Sequence, residues 1–238
     1  MPSIRTAGAP PSFRELGKER WATYVSGPHP SLTQWVAHAM SLAFDPHPIW
    51  VDFREEGAAT DEGGPIAVGE IPADRLYIIS KAEARPREVV SARGLLKVVR
   101  SDEPKGVLAE IADFSRLPEQ VQSIIGVRGG TGPQRAFVLA NTDRVREYYP
   151  RTVKGIRPLV EVALRENLLP IFVSLPPNNP GYLALDFAFE VRAKSLADWR
   201  EGILYCEKAP GTAAFVPGQA FRLSSFPEIV SVLGHRYG

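Results

Sequence analysis

The sequence predicts an α/β protein: a mainly parallel sheet flanked by helices, with antiparallel strands at its C-terminal end. Three observations lead there. Short apolar runs alternate with segments of helical period over the first two-thirds of the chain. From about residue 184 onward, period-two alternation replaces that pattern. Clusters of Pro, Gly and Asn separate the segments, and the chain carries 22 Pro and 20 Gly.

Residues 1–18 hold two adjacent prolines and small residues, and read as a flexible N-terminal arm with one short helical turn. Residues 19–238 read as a single domain, since neither an internal repeat nor a linker interrupts them. The first strand is Ala22–Ser26. A helix over about Leu32–Phe44 follows, with Trp35, Val36, Ala39, Met40 and Ala43 on one face, and Asp45-Pro46-His47-Pro48 ends it. Strands are expected at Ile49–Phe53, Leu76–Ser80 and Arg135–Ala140, with a Gly-rich acidic loop over 54–75 and mixed helical signals over 87–125. A second helix, Lys154–Asn167, leads to a strand at Leu169–Leu175. The tail reads as strands at Ala184–Ala193, Gly202–Lys208 and Ala220–Leu223, with a turn or short strand at Gly211–Pro217.

Composition removes several function classes. Lys plus Arg is 28 and Asp plus Glu is 27, a formal net charge of +1, so nothing demands a nucleic acid or a membrane surface. No apolar run reaches the roughly 18 residues of a bilayer span, and the start has no signal-peptide core. A cytoplasmic location is the expectation. One cysteine, Cys206, excludes an internal disulfide and a Cys-based zinc site, and its apolar strand makes it a small core residue. His29, His38 and His47 fall nine residues apart with loops between them, a spacing that builds no metal site. Gly126–Gly132 is rich in glycine but precedes a strand, so it reads as a turn.

The stretch 21–40 carries the most chemistry. A strand runs into Gly27-Pro28-His29-Pro30 and a helix follows, the setting of the phosphate-binding motif G-x-x-x-x-G-K-[ST]. Aligned on Gly27, the second glycine is Leu32, the lysine is Thr33 and the magnesium-holding Ser/Thr is Gln34. Such loops hold anions with backbone N–H groups at a helix N-terminus. Pro28 and Pro30 each remove a donor, Leu32 adds a Cβ, and Thr33 supplies no charge. A second reading makes the same residues a strand-to-helix turn with Ser31 as N-cap.

The element order resembles the RecA-like ATPase fold, and within it the KaiC-like branch, over roughly residues 18–226. Beside the Gly27 loop, Trp50–Glu56 looks like the second strand of that branch with its paired acidic residues, and Phe187–Phe226 looks like its closing strands. The resemblance implies an ATP and magnesium site. It makes Glu55 the candidate base, and Gly27, Pro28, Ser31, Leu32, Thr33, Gln34, Asn141 and Asp143 the nucleotide-site-like positions. Asn141 stands where the family has its magnesium-holding Asp, and Asp143 follows two residues later. Joint loss at Leu32, Thr33, Gln34 and Asn141 leads to a non-catalytic regulatory or scaffolding protein with a decayed nucleotide site. Its expected partner is itself or a related active ATPase subunit, with no membrane and no required cofactor.

Two alternatives stay open. One is an atypical ATP-binding protein or weak ATPase that uses Glu55 as base and Asp143 for magnesium. The other is a recombinase-like nucleic-acid binder, in which Arg144, Arg146 and Arg151 meet phosphates and Tyr148 stacks on bases. The near-zero net charge disfavours the latter.

Overall fold

The computed structural model describes residues 8–17, 21–46, 48–54, 64–65, 76–80, 135–142, 160–161, 163–164, 167–174 and 185–237. The apolar runs form one eight-stranded sheet: β1 Thr23–Ser26, β2 Ile49–Arg54, β3 Leu76–Ser80, β4 Arg135–Ala140, β5 Leu168–Ser174, β6 Phe187–Arg192, β7 Ile203–Lys208 and β8 Ala220–Arg222. Their spatial order is β3-β2-β4-β5-β1-β6-β7-β8. The pairings from β3 through to β6 are parallel, and β7 runs antiparallel to both β6 and β8. The expected α/β class with antiparallel C-terminal strands is therefore the observed one.

Parallel strands are made of continuous apolar residues because both faces of such a sheet are covered. On one face of the central strands lie Val25, Trp50, Val138, Ala140, Ile171 and Val173, all in the main core. On the other face Tyr24, Phe137, Leu139 and Phe172 are buried as well. The tail strands keep one apolar face, with Phe189, Val191, Leu204, Cys206 and Phe221 in the core.

Helix α1, Pro30–Leu42, lies over β1, β4, β5 and β6. It is buried at every residue from Leu32 to Ser41, because a second helix, α2 (Pro227–Tyr237), packs against it. The end of α1 is fixed by Asp45. Its Oδ2 accepts hydrogen bonds from the Ala136 N–H at 3.1 Å and from Arg135 Nε at 3.4 Å, which ties the helix exit to the start of β4. Asp186 does the same for β1: its Oδ2 accepts from the Ala22 N–H at 2.8 Å, one residue before β6 begins.

Three differences from the sequence reading have physical reasons. α2 was not expected, yet it has Pro227 at its start, Glu228 in the first turn and His235 and Arg236 in the last, in keeping with the helix dipole. α1 begins two residues before the expected Leu32, because the fixed φ of proline suits the first helical position. The N-terminal arm is anchored where it is described. Phe13–Gly17 forms a 3-10 turn whose Phe13 and Leu16 are fully buried. The Phe13 ring stacks on Phe226 at 4.5 Å and lies 6.3 Å from Phe215, and Arg14 Nε donates to the Ala43 carbonyl at 3.1 Å.

A ring stacked this way inside a core is costly to remove. Phe13→Ala is expected to lower unfolding stability by about 3–5 kcal/mol. Urea denaturation followed by circular dichroism measures it; a loss under about 1 kcal/mol would mean that the turn is loosely held.

Candidate functional site

The carboxyl ends of the parallel strands form one rim. Asp52 is in register with Ala140, Leu139 with Phe172, and Ser26 with both Ser174 and Glu190. The chain leaves β1 toward β2 on one side, and passes from β5 across β1 to β6 on the other. Open α/β sheets place their ligand crevices at such a reversal. Here it falls at Ser26-Gly27, the loop that the sequence singled out.

That loop is short. Between Ser26 and Pro30 lie only Gly27, Pro28 and His29, so Pro30, Ser31, Leu32, Thr33 and Gln34 are all helical. Thr33 N–H donates to the His29 carbonyl at 3.0 Å, and Thr33 Oγ1 donates to the same oxygen at 2.9 Å. His29 is the N-cap, in extended conformation and without a side-chain cap bond. The reading of Ser31 as N-cap is corrected: Ser31 sits inside the first turn, displaced there by Pro30 at the start. The helical ladder leaves the His29, Ser31 and Leu32 N–H groups without a helical carbonyl partner, since Pro30 has no N–H and the first ladder bond is from Thr33. A phosphate cradle uses a longer run of such donors.

The loop is also closed against its own helix. A Cβ at Gly27 would lie 2.5 Å from Thr33 Oγ1 and 2.8 Å from the Val191 carbonyl oxygen. The absence of a side chain at Gly27 therefore permits the close approach of helix and strand. Leu32, Thr33 and Gln34 are buried at 0%, 1% and 3% exposure. Pro28 is exposed, and His29, Pro30 and Ser31 are half-buried.

Asn141 follows β4 on the same rim, with φ at 57°. Asparagine tolerates that left-handed backbone better than most residues, which gives a local reason for its presence. The next residue holds the exit of β4: Thr142 N–H and Oγ1 both donate to the Val173 carbonyl, at 2.9 and 3.2 Å. Glu55, Asp143, Arg144, Arg146, Tyr148 and Arg151 lie outside the described residues. Among the histidines, His38 is buried with its ring edge-on to Trp35 and Trp50 at 6.0 and 5.9 Å. Among the described residues, no three His, Cys, Asp or Glu side chains converge as metal ligands.

A charged cluster beside this rim escaped the sequence reading. Glu190 and Arg192 on β6 meet Tyr205 and Glu207 on β7. Arg192 Nε donates to Glu190 Oε2 at 2.7 Å, and its guanidinium lies 4.3 Å from the Tyr205 ring centre. The hydrogen bond to Glu190 raises the Arg192 pKa. Burial raises the Glu207 carboxyl, and the Glu190 charge adds to that, against the pull of Arg192. The alternation Phe-Glu-Val-Arg was the available signal: it puts both charges on one sheet face. Lys208 Nζ donates to the Leu185 carbonyl of its own chain.

No protein-family model matches the chain, and no curated protein is similar to it in sequence. Among the described residues, no helix is long and apolar enough to cross a membrane.

Two measurements follow from this packing. Gly27→Ala is expected to destabilise by about 1–3 kcal/mol through overpacking; equal stability in urea would show that α1 shifts freely. Burial, with the Glu207 charge, pushes the Cys206 thiol up to about 12. Cys206 should therefore react with an aromatic disulfide at pH 8 at least about 100-fold more slowly in native than in urea-unfolded protein.

Proposed function

We propose that this chain is a RecA-like domain, similar to the KaiC branch, that has kept the architecture of a nucleotide-binding protein and acts through protein–protein assembly without catalysis. One observation carries the reading. The loop at the strand-order reversal is a three-residue turn sealed by Thr33 against Gly27, with the positions of the phosphate-loop lysine and magnesium ligand buried in helix α1. Phosphoryl transfer depends on positioned charge and on N–H donors around the phosphates. A buried Thr33 side chain that donates to the His29 carbonyl offers neither.

The placement of the loop supports descent from a nucleotide site. It lies at the carboxyl end of a central parallel strand, opening onto a helix N-terminus, where α/β proteins hold anionic ligands. Asn141 lies along the same rim. The partner consistent with this reading is a second copy of the chain or a related active subunit. Assembly surfaces can persist when the chemistry is lost, because they depend on other residues.

Calorimetric titration of ATP and ADP, with and without magnesium, tests the reading. The expected outcome is no saturable heat up to about 1 mM nucleotide. Magnesium-dependent binding in the micromolar range would overturn it, and would put a weak ATPase using Glu55 and Asp143 in its place.

A further inference from the structure

The antiparallel end of the sheet has two unlike faces. One buries Phe189, Val191, Leu204, Cys206 and Phe221. The other carries polar residues in register: Glu190 lies opposite Tyr205, Arg192 opposite Ile203, and Ile203 opposite Arg222. Glu207 follows Tyr205 at the next period-two position of β7, whose burial alternates from Ile203 through Cys206, and it lies close enough to Glu190 and Arg192 to feel both charges. Glu190, Arg192, Ile203, Tyr205 and Glu207 are all half-buried, and Arg222 is exposed. This part of the sheet therefore differs from the parallel part, where both faces are closed.

Charge on this face is unevenly satisfied. Glu190 and Arg192 neutralise one another. Among the described residues, neither the Glu207 carboxylate nor the Arg222 guanidinium has a hydrogen-bond or ion-pair partner. The two leftover charges are opposite in sign and sit at opposite ends of the patch. Arg222 is level with Ile203, whereas Glu207 lies four residues further along β7, a separation of roughly 14 Å along the strand. Tyr205 lies midway between them.

An anion and a cation spaced about a central residue are self-complementary under two-fold rotation. A two-fold axis lying in the plane between two copies, and crossing the strands at Tyr205, places Arg222 of each copy opposite Glu207 of the other. We propose that the face formed by Glu190, Arg192, Tyr205, Glu207 and Arg222 is an isologous contact with a second copy of this chain, closed by two reciprocal Arg222–Glu207 pairs. It names the surface for the assembly reading above. Three short strands span roughly 14 Å across the sheet, which is less than a standard interface. The dimer is accordingly weak, and it is sensitive to salt because its pairs are at the rim.

Sedimentation equilibrium from about 10 μM to about 1 mM protein at low salt tests it. Wild type should show a concentration-dependent monomer–dimer equilibrium that shifts to monomer on adding salt. Arg222→Glu and Glu207→Arg should each weaken dimerisation by about tenfold or more, and the double charge swap should restore it. Circular dichroism verifies folding; if a reversal fails to fold, Arg222→Gln at the exposed position replaces it, with a smaller loss expected. A wild type that stays monomeric at the highest concentration overturns the proposal. So does a dimer whose mass is unchanged by these substitutions. The outcome is independent of the nucleotide titration: a monomer that binds no nucleotide removes this contact and leaves the decayed site standing.

Discussion

The missing Cβ at residue 27 sets how closely the first helix can lie on the sheet. Thr33 Oγ1 and the Val191 carbonyl occupy the space that any side chain there would need. Because that contact is close, α1 starts only three residues after β1 and lies across four strands. Its buried length then fixes where α2 packs and where Asp45 meets β4. In a phosphate loop, glycine gives the backbone room to surround a ligand. Here the same residue type brings two elements together and leaves no room between them.

Much of the fold was legible in the sequence, and the reason is burial. Leu76–Ser80 and Arg135–Ala140 were read to the residue, since each is a short apolar run set between turn signals, and in Arg135–Ala140 every residue after Arg135 is buried. The face Trp35, Val36, Ala39, Met40 and Ala43 was read as well, because a helix packed on a sheet must repeat apolar residues every turn. What escaped was short or decided by tertiary contacts. α2 has only Ile229 and Leu233 buried, so its periodic signal is thin. Phe13 and Leu16 lie in a Pro-rich arm with no periodic pattern, and their burial depends on distant parts of the chain, for Phe13 the rings of Phe215 and Phe226.

The site was legible in outline and not in detail. The sequence located the strand, turn and helix around Gly27. It did not show that Thr33 would turn back onto the His29 carbonyl, or that Pro30 would start the helix early and take Ser31 into it. Local rules place a Ser as an N-cap with equal ease in either frame. The cluster of Glu190, Arg192, Tyr205 and Glu207 is a cross-strand feature, and it depends on a hairpin register with an irregularity at Ala188 and Phe189. Spacing along one strand cannot supply that register.

The position of β1 bears on how the chain is made. Its neighbours in the sheet are β5 and β6, so Thr23 pairs with Ile171 and Phe187. During synthesis from the N-terminus, the first strand therefore emerges long before either of its neighbours exists. Its backbone groups must stay solvated, or be held by something else, until the chain has grown past residue 187. Non-local pairing of this kind slows folding and exposes apolar strand edges on the way. A central strand of the finished sheet is thus made before either of the strands that enclose it.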